Sequence, residues 1–462
     1  MVGWSVIGSI ESTVLHGPPI ALKTTKPAPA PIPQTRLGRF ARMGMAAGEL
    51  AAGAAAQGLK RMARGEAPDF RGALLSGPNA RRLAERLARL RGAAMKIGQL
   101  VSMQGEDMLP AEFAQALSVL RSQAAPMPPQ QLRRVLGREY GTGWERRFAA
   151  FDQEPIAAAS IGQVHRVTTA DGRDLALKIQ YPGVARSIAS DVDNVAALLR
   201  MFNLLPIDLD VAGIADEAKQ QLMQEADYLS EARFLEHFGE LVADEPALLV
   251  PRVHRDLTTT RIMAMDFVEA APLDVLAEAP QGRRNAVGTL FERLLFRELF
   301  EFRVMQTDPN FANYLYQQKS GRLVLLDFGA TRHFGTEFVA NFARISRAVV
   351  DGDRDAVARA AVRIGYATAT DPPQRIEAVV DMCLLVCEPL RHVGRYDFGA
   401  SNLAERVRQL GFELAIRRRL LRSPPPETLF LHRKLVGSFL LLARLGAQVD
   451  ARALILPFLP KA

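Results

Sequence analysis

The stretch that decides the fold is Q-T-D-P-N-F-A-N at residues 306–313, followed by L-V-L-L-D-F-G at residues 323–329. Asp308 and Asn313 are separated by four residues, and Asp327 follows at the end of an apolar run. Carboxylate and amide oxygens are ligands that Mg²⁺ accepts, and proteins usually hold this ion with few side chains together with substrate phosphates. The stretch therefore predicts a site for a metal-bound nucleotide.

Three further positions extend this pattern into the order used by protein kinases. Kinases place a D-x-x-x-x-N segment before D-F-G, and upstream they carry a strand lysine that a helix glutamate orients. Lys178 ends the apolar run L-A-L-K, and Glu231 is our candidate for its glutamate. A lone lysine is more often an exposed strand residue, but here all five residues stand in kinase order. We expect Lys178, Glu231 and Asp308 to be catalytic, with Asn313 and Asp327 as ligands of Mg²⁺ or Mn²⁺.

An alanine-rich loop stands where kinases carry a glycine-rich phosphate loop. Glycine permits positive φ and close approach of the backbone, whereas methyl groups narrow these conformations, so the phosphate contacts are expected to differ. We predict a turn over Ala157–Ser160, with the hydroxyl of Ser160 directed at phosphate. The expected nucleotide-binding residues are this loop, the strand lysine and two residues of a later strand: Ala157, Ala158, Ala159, Ser160, Ile161, Gly162, Gln163, Val164, Lys178, Met265 and Phe267.

Composition is that of an ordinary globular protein. The chain has 462 residues, of which 48% are hydrophobic and 23% charged, with a formal net charge of +8, close to the average for soluble domains. No secretory signal and no run of about 18 apolar residues is evident, so no membrane span is expected. Cys383 and Cys387 are predicted to be buried and reduced, because no second pair completes a metal site.

Basic residues gather near the N-terminus. This cluster is either a solvated helix face or a surface attracted to anionic lipid headgroups. Few aromatic residues are interleaved with it, so nucleic acid is not an expected partner. Its members are Arg36, Arg39, Arg42, Lys60, Arg61 and Arg64.

The pattern along the chain divides it into four segments. We predict a Pro/Ala-rich disordered leader over 1–37, an Ala/Gly-rich segment with a helical extension over 38–150, a strand-rich lobe over 151–268 and a mainly helical lobe over 269–462. The Asp-Gly of residues 169–173 predicts a hairpin. Helices are expected at 184–203 and 208–240, with short strands near Leu248–Val253 and Arg261–Phe267. Strands first and helices afterwards indicate an α+β architecture with two lobes.

Five fragments together resemble the UbiB family of atypical kinase-like proteins, also called AarF-domain kinases. They are K-I-G-Q at 96–99, A-A-A-S-I-G-Q-V-H at 157–165, E-A-D at 225–227, D-P-N-F-A-N at 308–313 and F-L-H-R-K-L at 430–435. The wording around Asp308 is most similar to the coenzyme Q subgroup of mitochondria and related bacteria; Gln306 and Asn310 stand where other members carry histidine. The resemblance implies a two-lobed, protein-kinase-like fold with an N-terminal helical extension and a largely helical C-terminal lobe.

The resemblance also implies a regulatory contact. Lys96 is expected to pair with the acidic group formed by Glu225 and Asp227, docking the extension over the nucleotide cleft and occluding a peptide groove. Gln99 would share the helix face of Lys96, and Asp227 and Glu231 would share a face of one helix at i,i+4. An ordinary acidic helix face is the alternative. In addition, residues 331–335 lead directly into a helical pattern without an activation segment, which is not typical of a conventional protein kinase.

Taken together, the resemblance implies a Mg-ATP-binding ATPase or phosphotransferase that supports ubiquinone biosynthesis, with ATP and Mg²⁺ as cofactors. Its implied partners are a membrane lipid or quinone intermediate and other ubiquinone-biosynthesis enzymes, with homodimerisation left open. The implied location is the cytoplasmic face of a bacterial inner membrane, or the matrix side of the mitochondrial inner membrane in a eukaryote. A small-molecule or lipid kinase, and a nucleotide-gated scaffold without turnover, remain as alternatives.

Overall fold

The computed structural model describes residues 92–93, 96–97, 126–201, 211–418, 420–421 and 424–461, which form two compact units. The first unit contains the described residues up to Arg233 together with Arg252–Phe267. The second contains Phe234–Pro251 and the residues from Val268 onward. The predicted leader, the Ala/Gly-rich segment 38–65 and Gln99 lie outside the described residues.

The first unit is built on a five-stranded antiparallel sheet in the order β1-β3-β4-β6, with β2 paired to β3. The strands are β1 (Phe148–Phe151), β2 (Ala157–Ala158), β3 (Gly162–Thr169), β4 (Asp174–Gln180) and, after β5 (Leu248–Leu249) of the other unit, β6 (Ile262–Asp266). The predicted Asp-Gly hairpin is confirmed between β3 and β4. Gly172 has φ +88° and its N–H donates to the carbonyl of Thr169 at 2.9 Å, a conformation that glycine adopts without strain.

Alternation along β4 decides where its side chains point. Leu175, Leu177 and Ile179 are all completely buried and belong to one apolar cluster, which includes Leu136. Successive side chains of a strand point to opposite faces of the sheet, so Lys178 lies on the face away from this cluster. The hydrophobic pattern thus fixes the register of β4 and places the lysine side chain on the opposite face of the sheet.

The helices of the first unit include one correction. They are α1 (Pro129–Tyr140), α2 (Val184–Met201), α3 (Val211–Glu225) and the first turns of α4 (Tyr228–Leu241). The predicted single helix over 208–240 is wrong, because the chain leaves the helix at Ala226–Asp227. The carboxylate of Asp227 accepts the N–H of Ser230 at 3.0 Å, which caps a new helix, and Gln180 donates to the freed carbonyl of Ala226 at 3.0 Å.

The second unit is mainly helical, as the sequence predicts, with three small sheets. Besides β5 its strands are β7 (Ala271–Pro272), β8 (Val304–Gln306), β9 (Tyr314–Gln317), β10 (Arg322–Leu325), β11 (Thr331–His333), β12 (Tyr396–Asp397) and β13 (Gln448–Val449). They pair as β5-β10-β9-β7, β11-β8 and β12-β13. The helices are the remainder of α4 and α5 (Gln281–Phe296), α6 (Thr336–Asp351), α7 (Arg354–Ile364), α8 (Pro373–Val386), α9 (Glu388–Arg391), α10 (Leu403–Phe412), α11 (Pro426–Leu445) and α12 (Ala451–Ile455).

A large apolar cluster holds these helices together, and it includes Met305, Val349, Met382 and Leu431. Helix α5 continues into a π-helical segment, Arg297–Phe302, that leads to β8. Both cysteine thiols are free; Cys383 is buried as predicted, whereas Cys387 is only half-buried. Within the described part of the chain, no helix combines the length and apolar character that crossing a bilayer requires.

Candidate active site

The structure brings Lys178 of β4 and Glu231 of α4 into a buried ion pair. The ammonium is 2.6 Å from the carboxylate, and the side chains are 10% and 1% exposed. The same ammonium lies 5.3 Å from the centre of the Tyr228 ring, within the range of a cation–π contact. Because the break at Ala226–Asp227 lets α4 begin at Tyr228, both contacts come from its first turn.

The alanine-rich loop differs from its prediction. Ala157 and Ala158 form β2 and pair with Val164 and Gln163, so the predicted turn over Ala157–Ser160 is wrong. The tight turn runs from Ala159 to Gly162, whose carbonyl accepts the Ala159 N–H at 2.9 Å. The first two alanines of the predicted turn are therefore strand residues, and the turn begins two residues later.

Gly162 is the position in this loop that requires glycine. A Cβ atom there would lie 2.5 Å from the carbonyl oxygen of Ile179 and 2.7 Å from the hydroxyl oxygen of Tyr228. Ile179 follows Lys178 along β4, and the ring of Tyr228 contacts the ammonium of Lys178. The close approach of β3 thus packs the loop directly beside the lysine.

Glu225 connects the loop to the N-terminal extension. Its Oε1 atom is 2.7 Å from the ammonium of Lys96, whose side chain is 4% exposed, and its Oε2 atom accepts the hydroxyl of Ser160. Lys96 therefore pairs with Glu225, while the carboxylate of Asp227 caps α4. The Ser160 hydroxyl was predicted to face phosphate, but in this structure it donates a hydrogen bond to Glu225.

Gln163 is fully buried, and its side chain is used within the protein. Its Oε1 accepts the N–H of Met127 at 2.7 Å, and its Nε2 lies 2.6 Å from Nε2 of His165. Nδ1 of His165 lies 2.8 Å from the Asp152 carbonyl, so this nitrogen donates and Nε2 accepts. Burial lowers the pKa of His165, which keeps the imidazole neutral for this arrangement. These contacts anchor the loop and occupy the side chain of Gln163, which was predicted to contact nucleotide.

The other candidate nucleotide-binding residues differ in accessibility. Ala157 and Ala158 are exposed, whereas Ile161 is 1% exposed. Met265 lies on β6 opposite Ala176. The N–H of Phe267 donates to the carbonyl of Asp174 at 3.0 Å, and its ring lies 4.0 Å from the Arg166 guanidinium.

In the second unit, two strand pairs hold the Asp308 loop beside the D-F-G segment. Gln306 of β8 pairs with Thr331 of β11, and the hydroxyl of Thr307 donates to the carbonyl of Ala330 at 2.7 Å. At the other end of the loop, the N–H of Leu326 donates to the carbonyl of Asn313 at 2.8 Å. Both ends of the loop are thus tied to the segment that carries Asp327.

Asn313 positions the carboxylate of Asp308. Its Nδ2 donates to the Oδ2 and to the backbone carbonyl of Asp308, at 3.3 and 3.2 Å. Nδ2 is engaged there, and no described residue donates to Oδ1, so this oxygen is available to a ligand. Asn310 stabilises the turn between them, since its Oδ1 accepts the N–H of Ala312 at 3.1 Å.

Asp327 adopts a left-handed conformation with φ +57°, which is uncommon outside glycine but tolerated by aspartate. Its Oδ1 accepts the N–H of Gly329 at 3.2 Å, and its carbonyl accepts Nε2 of Gln306 at 3.1 Å. Gln306 therefore links the loop to the D-F-G backbone. A carboxylate here and the amide oxygen of Asn313 form a donor set that suits Mg²⁺.

Three buried charges that the sequence did not assign to the site support this loop from the π-helical segment after α5 and from α11. Arg433 donates from Nε to the carbonyl of Thr307 at 3.0 Å. Lys434 lies 3.2 Å from Glu298, 3.1 Å from the Tyr314 hydroxyl and 3.4 Å from Oε1 of Gln306. Burial is the largest influence and acts to lower the pKa of Lys434, but the Glu298 carboxylate and the Tyr314 hydroxyl together outweigh it, so the pKa is raised. The signal was present in F-L-H-R-K-L, where two cations interrupt an apolar helix, but its role depends on contacts more than a hundred residues away.

Residues 119–361 match the ABC1 atypical kinase-like domain. Over 425 residues the chain is 41% identical to atypical kinase COQ8B, mitochondrial, of Rattus norvegicus, covering 92% of this chain and 80% of that protein. Over 426 residues it is 38% identical to atypical kinase COQ8, mitochondrial, of Saccharomyces cerevisiae, covering 92% of this chain and 84% of that protein.

A solved structure agrees with these matches. The complex of Rv3197 with erythromycin from Mycobacterium tuberculosis superposes with a TM-score of 0.59 at 26% sequence identity, covering 83% of this chain and 96% of that chain. The predicted α+β, protein-kinase-like fold is confirmed.

Proposed function

The chain belongs to the ABC1 atypical kinase-like family, and from this premise we propose that it binds Mg-ATP and acts as an ATPase or phosphotransferase supporting ubiquinone biosynthesis. The ubiquinone assignment is supported by the similarity to the COQ8 proteins of rat and yeast. We propose that the reaction takes place at a membrane surface and involves a quinone-like lipid.

The observation that carries the nucleotide assignment is the 2.6 Å ion pair of Lys178 with Glu231. In kinases the strand lysine neutralises nucleotide phosphates only when a helix carboxylate orients it. The pair is formed here by residues at the expected positions of the motif order. Its burial keeps the electrostatic interaction stronger than it would be in water.

The chain's own residues divide the work as follows. Lys178 would bind the α- and β-phosphates, and Oδ1 of Asn313 with the carboxylate of Asp327 would hold the metal ion. Bound Mg²⁺ would neutralise charge on the phosphate oxygens. Asp308 accepts or orients the proton of the attacking oxygen, and the 3.3 Å hydrogen bond from Asn313 fixes its carboxylate for this role.

The segment after Asp327 supports a substrate other than a protein. Eight residues, 328–335, separate Asp327 from the start of α6 at Thr336, which is too short for the activation segment on which kinases dock peptides. Moreover, Glu225 joins Lys96 of the extension to Ser160 of the alanine-rich loop. We propose that this connection regulates access of the nucleotide to the loop.

Thermal stabilisation by ATP tests the metal assignment. We expect ATP to raise Tm only with Mg²⁺ or Mn²⁺ present, and the increase to disappear with a chelator or in Asp327→Asn. Asp355→Asn, which changes an exposed aspartate of α7, is the matched control and should respond as the wild type does. An unchanged response in Asp327→Asn would contradict the assignment. Adding quinone-like lipid in liposomes to a steady-state ATPase assay then tests the lipid part.

A further inference from the structure

A cavity of about 210 Å³ lies inside the second unit. The cavity is partly open to solvent, and its size suits a small ring, since an engineered apolar cavity of about 150 Å³ is large enough to bind benzene. The walls are mostly apolar and come from α5, α6, α8 and α11, among other elements. Representative lining residues are Phe296, Phe342, Val349, Val386 and Phe439.

One carboxylate interrupts this apolar lining. Glu292 of α5 is only 6% exposed and lines the cavity, yet no hydrogen bond or ion pair from any described residue reaches it. Burial raises the pKa of Glu292 to about 7. A buried carboxylate without a partner is costly, so this group is suited to a ligand that supplies the missing cation.

The other polar groups in the wall do not supply that cation. Among the residues that the structure describes, the lining contains no lysine and no arginine. His432 lies 2.6 Å from the hydroxyl of Tyr366, and burial lowers the pKa of His432 to about 4, so the imidazole is neutral. Ser346 also contributes to the wall and carries no charge.

Helix α11 connects the cavity with the Asp308 loop. His432 and Phe439 face the cavity, while Arg433 donates to Thr307 at 3.0 Å. Gly437 packs so closely on the loop that a Cβ atom would lie 1.9 Å from Cβ of Pro309. If an occupant of the cavity rotated or shifted α11, these contacts would therefore displace the loop.

We propose that this cavity binds a small molecule with one apolar ring and one primary ammonium group, which pairs with Glu292, and that occupancy is transmitted through α11 to residues 306–313. The ring occupies the apolar part of the cavity, and the ammonium supplies a cation that the described residues of the wall do not. The site is separate from the proposed nucleotide residues, and its occupation does not depend on them.

Two probes with equal numbers of heavy atoms test the site: benzylamine, which is a cation near neutral pH, and ethylbenzene, which is neutral. Calorimetry or ligand-observed NMR on the full chain at about pH 7.5 should show benzylamine binding at least about tenfold more tightly to wild type than to Glu292→Gln. Ethylbenzene should bind both equally. Ala404→Leu, which fills part of the cavity, should weaken both probes, and Glu278→Gln, an exposed control, should weaken neither. Equal benzylamine affinity in wild type and Glu292→Gln, or no binding of either probe, would overturn the proposal.

Hydrogen exchange tests the transmission without using turnover. Benzylamine should slow the exchange of backbone amides in residues 306–313 in wild type and leave it unchanged in Glu292→Gln. Unchanged exchange in wild type at saturating benzylamine would overturn the role of α11. Neither measurement involves ATP, so failure here leaves the nucleotide assignment standing, and failure of that assignment leaves these results interpretable.

Discussion

Each unit contains a buried lysine–glutamate pair, and the surroundings of the two pairs differ. In the first unit, Lys178 is 2.6 Å from Glu231 and keeps 10% of its side chain exposed. In the second, Lys434 is 3.2 Å from Glu298 with 5% exposed, and it also lies within hydrogen-bonding distance of Gln306 and Tyr314. An ammonium has three N–H donors, so acceptors of the chain itself can satisfy all three of Lys434.

The difference shows that a buried ion pair does not by itself distinguish a lysine that binds a ligand from one that stabilises the fold. Lys434 is enclosed by the loop and helices that it holds together, which suits a structural role. Lys178 lies on the sheet face away from the apolar cluster and beside the close approach of Gly162 to β4, which suits contact with a ligand. The following predictions test this division.

The largest expected effect on stability is at Lys434. Lys434→Met leaves Glu298 buried without its cation, so we expect the free energy of unfolding to fall by about 3–5 kcal/mol. Urea denaturation measures this loss. Lys319→Met, which changes an exposed lysine, is the control and should be close to neutral.

The double variant Lys434→Met with Glu298→Leu sharpens this prediction. Replacing both charges by apolar groups of similar size removes the orphaned carboxylate, and such replacements are often neutral. We therefore expect it to recover most of the lost stability. A double variant as unstable as Lys434→Met would contradict the account of the pair.

Glu292, which has no lysine partner among the described residues, should make stability depend on pH. The pKa of Glu292 is raised by burial to about 7, above the value of about 4.3 expected for the unfolded chain. The folded state thus binds the proton more tightly, and the stability from this group is present at low pH and lost as pH rises through about 7. Glu292→Gln should match wild type below about pH 4 and exceed it by about 3–4 kcal/mol near pH 8.

Denaturation of wild type and Glu292→Gln across this pH range checks the prediction. Glu278→Gln, at an exposed position of the same unit, should follow the wild-type profile at every pH. Parallel profiles for wild type and Glu292→Gln would show that the chain already compensates this carboxylate.

At Lys178 we expect the effect to appear in the response to nucleotide. A ligand at about one hundred times its Kd stabilises a protein by about 2.7 kcal/mol, and wild type should show this increment with Mg-ATP. Lys178→Met should lose most of it, because the cation for the phosphates is gone, whereas Lys434→Met should retain it. The measurement is the difference in unfolding free energy with and without Mg-ATP for each variant. An equal increment in both variants would erase the distinction between the two pairs.

The sequence predicted those parts of the molecule that depend on short-range patterns or on motif order. The β3–β4 hairpin, α2 and the contact of Lys178 with Glu231 all follow from residues that stand close together or in a fixed order. The break at Ala226–Asp227 was missed, although aspartate before a helix is a capping signal. The helical periodicity on both sides of the break concealed it.

What the sequence did not predict depends on distant contacts. Lys434 meets Gln306 across 128 residues, and no periodicity or spacing announces such a pair. The cavity around Glu292 likewise results from how several helices pack, which a linear pattern does not specify. The turn lies at Ala159–Gly162 for a simpler reason: Ala157 and Ala158 pair with β3 as strand residues, and the alanine run itself does not indicate this pairing.

The most direct test of the central claim, that this chain turns over ATP through Asp308, is steady-state ATP hydrolysis by wild type and Asp308→Asn, with nucleotide affinity measured beside it. We expect kcat to fall by about a hundredfold or more, since general base catalysis contributes about 10²–10⁴-fold, while the Kd for Mg-ATP changes little. Loss of turnover with retained binding supports the account. Wild-type turnover in Asp308→Asn would contradict it and place the chemistry elsewhere.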